Sequence, residues 1–129
     1  MGKARLKRVI SYVDGFNLYF GLRSKGWKRY YWLDVSRLSE NLLKAGQSLQ
    51  KTKYFTSRIV ESPAKIKRQS TYIEALETLG NVDIYFGKYQ INDRSCIKCK
   101  QVQRIPFEKM TDVNIATELL VDAFQDLSL

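Results

Sequence analysis

Histidine is absent from this 129-residue sequence, and cysteine, proline and methionine occur twice each. Without histidine the chain cannot build a Ser-His-Asp or Cys-His catalytic arrangement, a histidine-based metal site or a histidine general base. If the protein is an enzyme, carboxylates, lysines, hydroxyls or thiols must carry the chemistry. No apolar run approaches the roughly 18 residues that a transmembrane helix needs, so the sequence predicts no membrane span.

The composition predicts one packed domain over residues 1–129. Apolar residues make up 44% of the chain and aromatic residues 12%, which suffices for a core of that size. The first eight residues are basic, but the long apolar stretch of a secretory signal does not follow them. A cytoplasmic location is therefore the default expectation.

Charge is distributed unevenly along the chain. Residues 1–70 carry 16 basic and 4 acidic side chains, whereas residues 71–129 carry 6 basic and 9 acidic ones. A basic half attracts polyanions, and nucleic acid is the polyanion that lysine and arginine most often contact. The alternative is that the positive charge serves solubility alone.

Short strand-like runs alternate with helical stretches, which predicts an α/β fold with a parallel sheet. The runs lie at residues 8–13, 51–59 and 82–89, and the helical stretches at 18–24, 34–45 and 62–79. Residues 91–107 predict a hairpin or an irregular excursion. A last helix follows Thr111, and its apolar positions recur at helical spacing, as in a helix that packs one apolar face on a core. These positions are Val113, Ala116, Leu120 and Ala123.

Two aspartates stand where chemistry is expected in such a fold. Asp14 ends the first strand, and ligands of open α/β sheets bind outside the carboxyl ends of the strands. Asp112 opens the last helix, where the helix dipole favours negative charge. Each could simply cap a helix. Together across a crevice they could hold a divalent cation, because Mg²⁺ prefers oxygen ligands.

Two segments carry a resemblance to a known family. Residues 13–18, Val-Asp-Gly-Phe-Asn-Leu, resemble the opening motif of NYN domains, a branch of the PIN-like nuclease superfamily. Residues 109–116, Lys-Met-Thr-Asp-Val-Asn-Ile-Ala, resemble that family's EKGTDVNIA segment, with Met110 in the usual glycine place. The strand at 54–57 and the pair Cys96 and Cys99 resemble the bacterial and archaeal subgroup.

The resemblance implies a three-layer, Rossmann-like sheet flanked by helices and a Mg²⁺- or Mn²⁺-dependent ribonuclease. Asp14 and Asp112 would be its catalytic, metal-binding carboxylates. Asn17, Ser57, Arg58 and Lys109 would contact the RNA substrate. The family continues into a further strand with an SGDSD-type acidic motif, and this sequence ends before it. The domain is therefore expected to be incomplete at its C-terminus, with weak metal binding and weak or no cleavage. Asp122 and Asp126 match no motif and are interpreted as solvated charges.

Cys96 and Cys99 form a Cys-x-x-Cys pair, which supplies half of a zinc site. A second chain could complete a Zn²⁺ site of four thiolates and so create a homodimer. The alternatives are two reduced thiols, a disulfide formed on handling, or a redox motif.

A basic and aromatic segment occupies residues 23–32, with Trp27, Tyr30, Tyr31 and Trp32 among four cationic side chains. This pattern suits single-stranded RNA, whose bases stack on aromatic rings. The alternative is that the rings, Trp32 above all, pack beneath the loop. Three hypotheses follow: a metal-dependent ribonuclease, a non-catalytic RNA-binding or regulatory module, and a module that dimerises through its cysteines or a free sheet edge.

Overall fold

The computed structural model describes residues 6–60, 62–95 and 98–125; of the strands at 88–95 and 102–109 only the backbone course is described. Five strands and four α-helices alternate through most of this part of the chain. In order they are β1 (Lys7–Asp14), α1 (Gly15–Ser24), α2 (Val35–Asn41), β2 (Gln47–Thr56), α3 (Pro63–Glu77), β3 (Val82–Phe86), β4 (Lys88–Ser95), β5 (Val102–Lys109) and α4 (Thr111–Phe124). A short 3₁₀ turn, Lys28–Tyr30, joins α1 to α2.

The first three strands form a parallel sheet in the order β1-β2-β3. The register places Asp14 beside Phe55 and Phe55 beside Tyr85, so the three strands end at one edge. Helices connect the strands because parallel neighbours require crossovers. This architecture confirms the predicted α/β sheet flanked by helices.

Strand alternation gives the sheet two different faces. Tyr54 of β2 packs with Val35, Leu76 and Val82 in the core between the sheet and helices α2 and α3. Lys53 and Phe55, the neighbours of Tyr54, are buried on the opposite face, which α4 covers. The sheet is therefore enclosed between two helical layers, one apolar and one largely polar.

The remaining two strands pair with each other. β4 and β5 form an antiparallel two-stranded sheet whose register runs from Lys88 opposite Lys109 to Ser95 opposite Val102. Of the two alternatives for residues 91–107, the hairpin is therefore correct. None of the helices in the described part of the chain has the length and apolarity to cross a bilayer.

Helix α4 lies on the sheet with its polar side inward, contrary to the expectation from its apolar spacing. Asp122 is 1% exposed, whereas Leu120 is 69% and Phe124 is 92% exposed. The interpretation of Asp122 as a solvated charge is thus wrong. Asp126 lies outside the described residues. The reason for the inversion is a buried lysine on the sheet, described below.

Two substitutions test this orientation of α4. We expect Asp122→Ala to lower the free energy of unfolding by about 3 kcal/mol, because it removes one partner of a buried ion pair. Leu120→Ala should change it by less than about 0.5 kcal/mol, because that side chain lies in solvent. Urea unfolding measures both. A larger loss in Leu120→Ala than in Asp122→Ala would contradict the orientation.

Candidate functional site

The carboxyl edge of the parallel sheet gathers most of the residues that the sequence singled out. β1 ends at Asp14, β2 at Thr56 just before Ser57 and Arg58, and β3 at Phe86. Adjacent strands lie about 4.8 Å apart, so the ends of β1 and β3 are separated by roughly 10 Å. The candidate site is this edge together with the start of α4.

Asp14 caps helix α1 and binds Asn17 twice. One carboxylate oxygen accepts a hydrogen bond from the Asn17 backbone N–H at 3.2 Å, and the other accepts one from Asn17 Nδ2 at 2.9 Å. The structure therefore brings Asp14 and Asn17 together, and the capping alternative is realised. The Asp14 carboxylate can still bind a further group, because each of its oxygens has a second lone pair beyond the one used in these hydrogen bonds.

Gly15 is required by close packing. A Cβ at this position would lie 2.5 Å from Tyr54 Cζ and Oη and 3.0 Å from the Phe55 carbonyl oxygen. The first turn of α1 thus passes directly over β2, and no side chain fits between them. This contact explains why glycine follows Asp14.

Helix α4 begins at the same edge. Asn114, in its first turn, donates a hydrogen bond from Nδ2 to the Phe86 carbonyl oxygen at 3.3 Å and so ties the helix to the end of β3. Asp112 lies in that first turn and is exposed. Met110 precedes the helix with φ +75°, a left-handed conformation that favours glycine. This left-handed backbone explains why the family that the sequence resembles has glycine at the position of Met110.

Asp14 and the start of α4, with Asp112, lie at the same edge of the sheet. Tyr12 donates a hydrogen bond to Asp122 and so points toward α4. Side chains alternate along a strand, so Asp14, two residues on, lies on the same face as Tyr12. The backbone positions of Asp14 and Asp112 therefore lie at one edge of the sheet, and strand alternation places Asp14 on the side that α4 covers.

Ser57 and Arg58 follow β2 in a loop that α3 holds in place. Gln69 donates from Nε2 to the Ser57 carbonyl oxygen at 2.7 Å and accepts from the Ile59 N–H at 2.9 Å. The Arg58 guanidinium lies 4.6 Å from the centre of the Phe86 ring and is exposed. The Ser57 hydroxyl is fully buried and has no hydrogen-bond partner among the described residues. The loop therefore places the exposed Arg58 side chain at the edge, while the Ser57 hydroxyl is buried and makes no hydrogen bond with the described residues.

A buried ion-pair cluster fastens α4 to the sheet behind this edge. Lys53 Nζ lies 2.8 Å from an Asp122 carboxylate oxygen and 2.9 Å from Glu118 Oε2. Burial by itself lowers the pKa of Lys53, but the hydrogen bonds to the two carboxylates outweigh it and leave that pKa above its usual range. Burial likewise raises the pKa of Asp122, yet hydrogen bonds from Lys53 and Tyr12 hold it below its ordinary value. Lys53 and Asp122 are thus both charged at neutral pH.

The sequence analysis missed this cluster, although two signals were present. Lys53 interrupts a strand whose other residues from Thr52 to Thr56 are all buried, and a charge in a buried strand needs a partner. Glu118 and Asp122 are four residues apart and therefore lie on one side of a helix.

The remaining predicted site residues are only partly described. Lys109 ends β5, but its side chain lies outside the described residues, as does Cys96. Cys99 is an exposed free thiol. Within residues 6–60, 62–95 and 98–125, no group of three or more aspartate, glutamate or cysteine side chains is placed to hold a metal ion. The zinc site shared between two chains stays a prediction.

Comparison with known proteins gives one distant similarity. No family model and no solved structure matches the chain. It is similar to 6-hydroxy-3-succinoylpyridine 3-monooxygenase HspA of Pseudomonas putida, with 29% identity over 90% of this chain and 47% of the relative. The chain thus spans about half the length of the curated relative it matches. This similarity does not by itself assign a family or an activity.

The lowered pKa of Asp122 makes stability depend on pH in acid. Its contribution is fully present above the unfolded-state pKa of about 3.9 and is lost as pH falls through the lower folded-state pKa. Between about pH 5 and pH 3, wild-type stability should therefore fall more steeply than that of Asp122→Asn, measured by urea unfolding at each pH. Parallel curves would contradict an ionised, paired Asp122.

The buried Ser57 hydroxyl gives a second stability test. Ser57→Ala should leave the free energy of unfolding unchanged or raise it by up to about 1 kcal/mol, because no hydrogen bond is lost. The matched control is Ser39→Ala, which removes hydrogen bonds to Ser11 and to the Val35 carbonyl and should cost about 1 kcal/mol. Thermal unfolding compares the two. A marked loss in Ser57→Ala would show that the hydroxyl has a structural partner.

Proposed function

We propose that this chain is an NYN-type, metal-dependent ribonuclease domain that hydrolyses phosphodiester bonds in single-stranded RNA, with weak activity for these 129 residues alone. The observation that supports the proposal most is the shared position of Asp14 and Asp112 at one edge of the parallel sheet. The basic first half of the chain and the exposed Arg58 supply positive charge for RNA.

The donor set at this edge fits one hard divalent cation. Mg²⁺ is commonly held by one or two carboxylates, with waters and substrate phosphates completing its shell. Asp14 and Asp112 would hold the ion, and when bound it would make a water more acidic and neutralise charge on the phosphate. Among the described residues the edge offers two carboxylates, and no group of three or more acidic side chains is placed to hold a metal ion, which supports weak binding.

The protein's own groups have separate roles in this proposal. Asn17 fixes the orientation of the Asp14 carboxylate through two hydrogen bonds. Arg58, braced on the Phe86 ring and by the Gln69-held loop, lies where it can bind a phosphate of the substrate. Lys109 ends the strand that leads into Met110 and α4, and we propose it as a second phosphate contact.

The name of the Pseudomonas putida relative raises the alternative of a redox enzyme. In dinucleotide-binding sheets the pyrophosphate lies on the N–H groups at the start of the first helix, after a glycine-rich turn. Here the Asp14 carboxylate caps that helix and would repel a pyrophosphate. The geometry of this turn therefore favours a cation over a dinucleotide.

Cleavage of a labelled single-stranded RNA with Mn²⁺ or Mg²⁺ tests the proposal. Wild-type protein should cleave weakly, and Asp14→Asn and Asp112→Asn should each reduce the rate at least about tenfold, as loss of metal-site groups does elsewhere. The matched control is Asp34→Asn. Asp34 caps α2 in the same manner as Asp14 caps α1, but its helix contacts the opposite, amino end of the sheet through Ser36 and Asn81.

The controls separate the possible outcomes. Asparagine caps helices about as well as aspartate, so Asp14→Asn and Asp34→Asn should stay folded. Asp112→Asn should also stay folded, because Asp112 is exposed and is not the cap of α4. Cleavage that is equal in wild type and Asp14→Asn would come from a contaminant and would overturn the proposal.

A non-catalytic RNA-binding module is the second candidate, favoured by the small number of carboxylates that the described residues place at the edge. It predicts salt-dependent RNA binding that Asp14→Asn leaves unchanged, with no cleavage at any metal concentration.

A further inference from the structure

Three exposed aromatic rings and four exposed cations occur between residues 20 and 30, on α1, the turn that follows it and the 3₁₀ turn. We call this surface the aromatic–basic face; its members are Phe20, Arg23, Lys25, Trp27, Lys28, Arg29 and Tyr30. Trp27 is 52% exposed, Phe20 52% and Tyr30 41%. No acidic side chain occurs from residue 15 to residue 33, so the positive charge of this face has no local counter-charge.

The rings of this face are held in position by the backbone. The Trp27 N–H donates to the Leu22 carbonyl oxygen at 3.1 Å, and the Tyr30 N–H donates to the Trp27 carbonyl oxygen at 3.0 Å. Gly26, with φ +70°, makes the turn that brings Trp27 back onto the end of α1. The Trp27 and Tyr30 rings then meet edge to face at 6.0 Å between centroids.

Packing does not require these rings to be here. The apolar core is formed by Val35, Tyr54, Leu76 and Val82, and neither Trp27 nor Tyr30 belongs to it. The Arg29 guanidinium lies 5.0 Å from the centre of the Tyr30 ring, so cation and ring are presented together. Trp32, which the sequence suggested would pack beneath the loop, contacts Tyr72 with its edge but is also half exposed.

We infer that the aromatic–basic face binds single-stranded nucleic acid by stacking bases on Trp27 and Tyr30 while the surrounding cations contact phosphates. Unpaired bases offer flat faces that a duplex hides, and stacking platforms flanked by cations are typical of proteins that bind single strands. Helix α1, about 15 Å long, runs from Asp14 to this face. The face would thus hold one part of a strand while another part reaches the carboxyl edge, a role that rests on the proposed function.

The two tryptophans of the chain provide a direct readout. In a Trp32→Phe background, Trp27 is the sole tryptophan, and a uridine oligomer of about ten nucleotides should quench its fluorescence on binding. We expect Trp27→Ala, followed by anisotropy of a labelled oligomer, to weaken affinity at least about fivefold. Trp27→Phe should restore most of the affinity, because a ring is retained.

The control is Phe124→Ala, which removes a ring that is 92% exposed and lies on α4, outside the aromatic–basic face. It should leave affinity unchanged. Equal affinity in Trp27→Ala and wild type would overturn the inference. So would tighter binding to an RNA duplex, or to phosphatidylserine vesicles, than to the single strand.

Failure of this inference can be told apart from failure of the proposed function. Asp14→Asn should bind the oligomer as wild type does, whether or not wild type cleaves RNA. Binding that depends on Trp27 without any cleavage would support the face and overturn the nuclease proposal. If Asp14→Asn loses cleavage but Trp27→Ala binds the oligomer as tightly as wild type, the nuclease proposal is supported and the aromatic–basic face is overturned.

Discussion

The contact on which the rest of the structure depends is the ion pair between Lys53, in the middle strand of the parallel sheet, and Asp122 on α4. The lysine is 6% exposed, and a buried ammonium without a partner would cost several kcal/mol. α4 must therefore present carboxylates to the sheet. A buried pair of this kind adds little net stability over apolar packing, but it specifies one arrangement. Here it selects which side of α4 faces inward, and so where the first turn of α4, with Asp112, meets the carboxyl edge.

The consequence is a helix that looks inverted. The side of α4 that carries Leu120 and Phe124 would suit an apolar core, yet it lies in solvent. If this side faced inward, burial of each apolar side chain would stabilise the fold by about 1.5–3 kcal/mol. Lys53 would then be buried without a carboxylate partner, which costs more. The Phe55 ring, stacked between Tyr12 and Tyr85, already fills the apolar part of this sheet face. The polar layer beneath α4 thus follows from one charged residue in β2.

Much of the fold could be predicted from local patterns, because local chemistry determines it. Asp34 caps α2, and Ser62 and Pro63 start α3. These signals, like the short runs of β-branched and aromatic residues in the strands, depend on residues close together in the sequence. The orientation of α4 could not be predicted from apolar spacing, since it is set by a lysine some 65 residues earlier in the chain. The edge position of Asp14 follows from the sheet topology, whereas that of Asp112 also depends on the contacts that fasten α4 to the sheet. Whether carboxylates at that edge bind a cation is a question of chemistry that neither spacing nor topology answers.

The proposed site and the aromatic–basic face have opposite electrostatics, and this difference explains how they could cooperate. Two carboxylates at the carboxyl edge would repel the phosphates of RNA, and in the proposal Arg58 and a bound divalent cation offset that repulsion. The aromatic–basic face attracts the same strand by charge and stacking and needs no metal. Asp14 connects the two regions, because its cap starts the helix that carries the face. In such an arrangement affinity resides mainly at the face, and dependence on a divalent ion is confined to the edge where phosphodiester chemistry would occur.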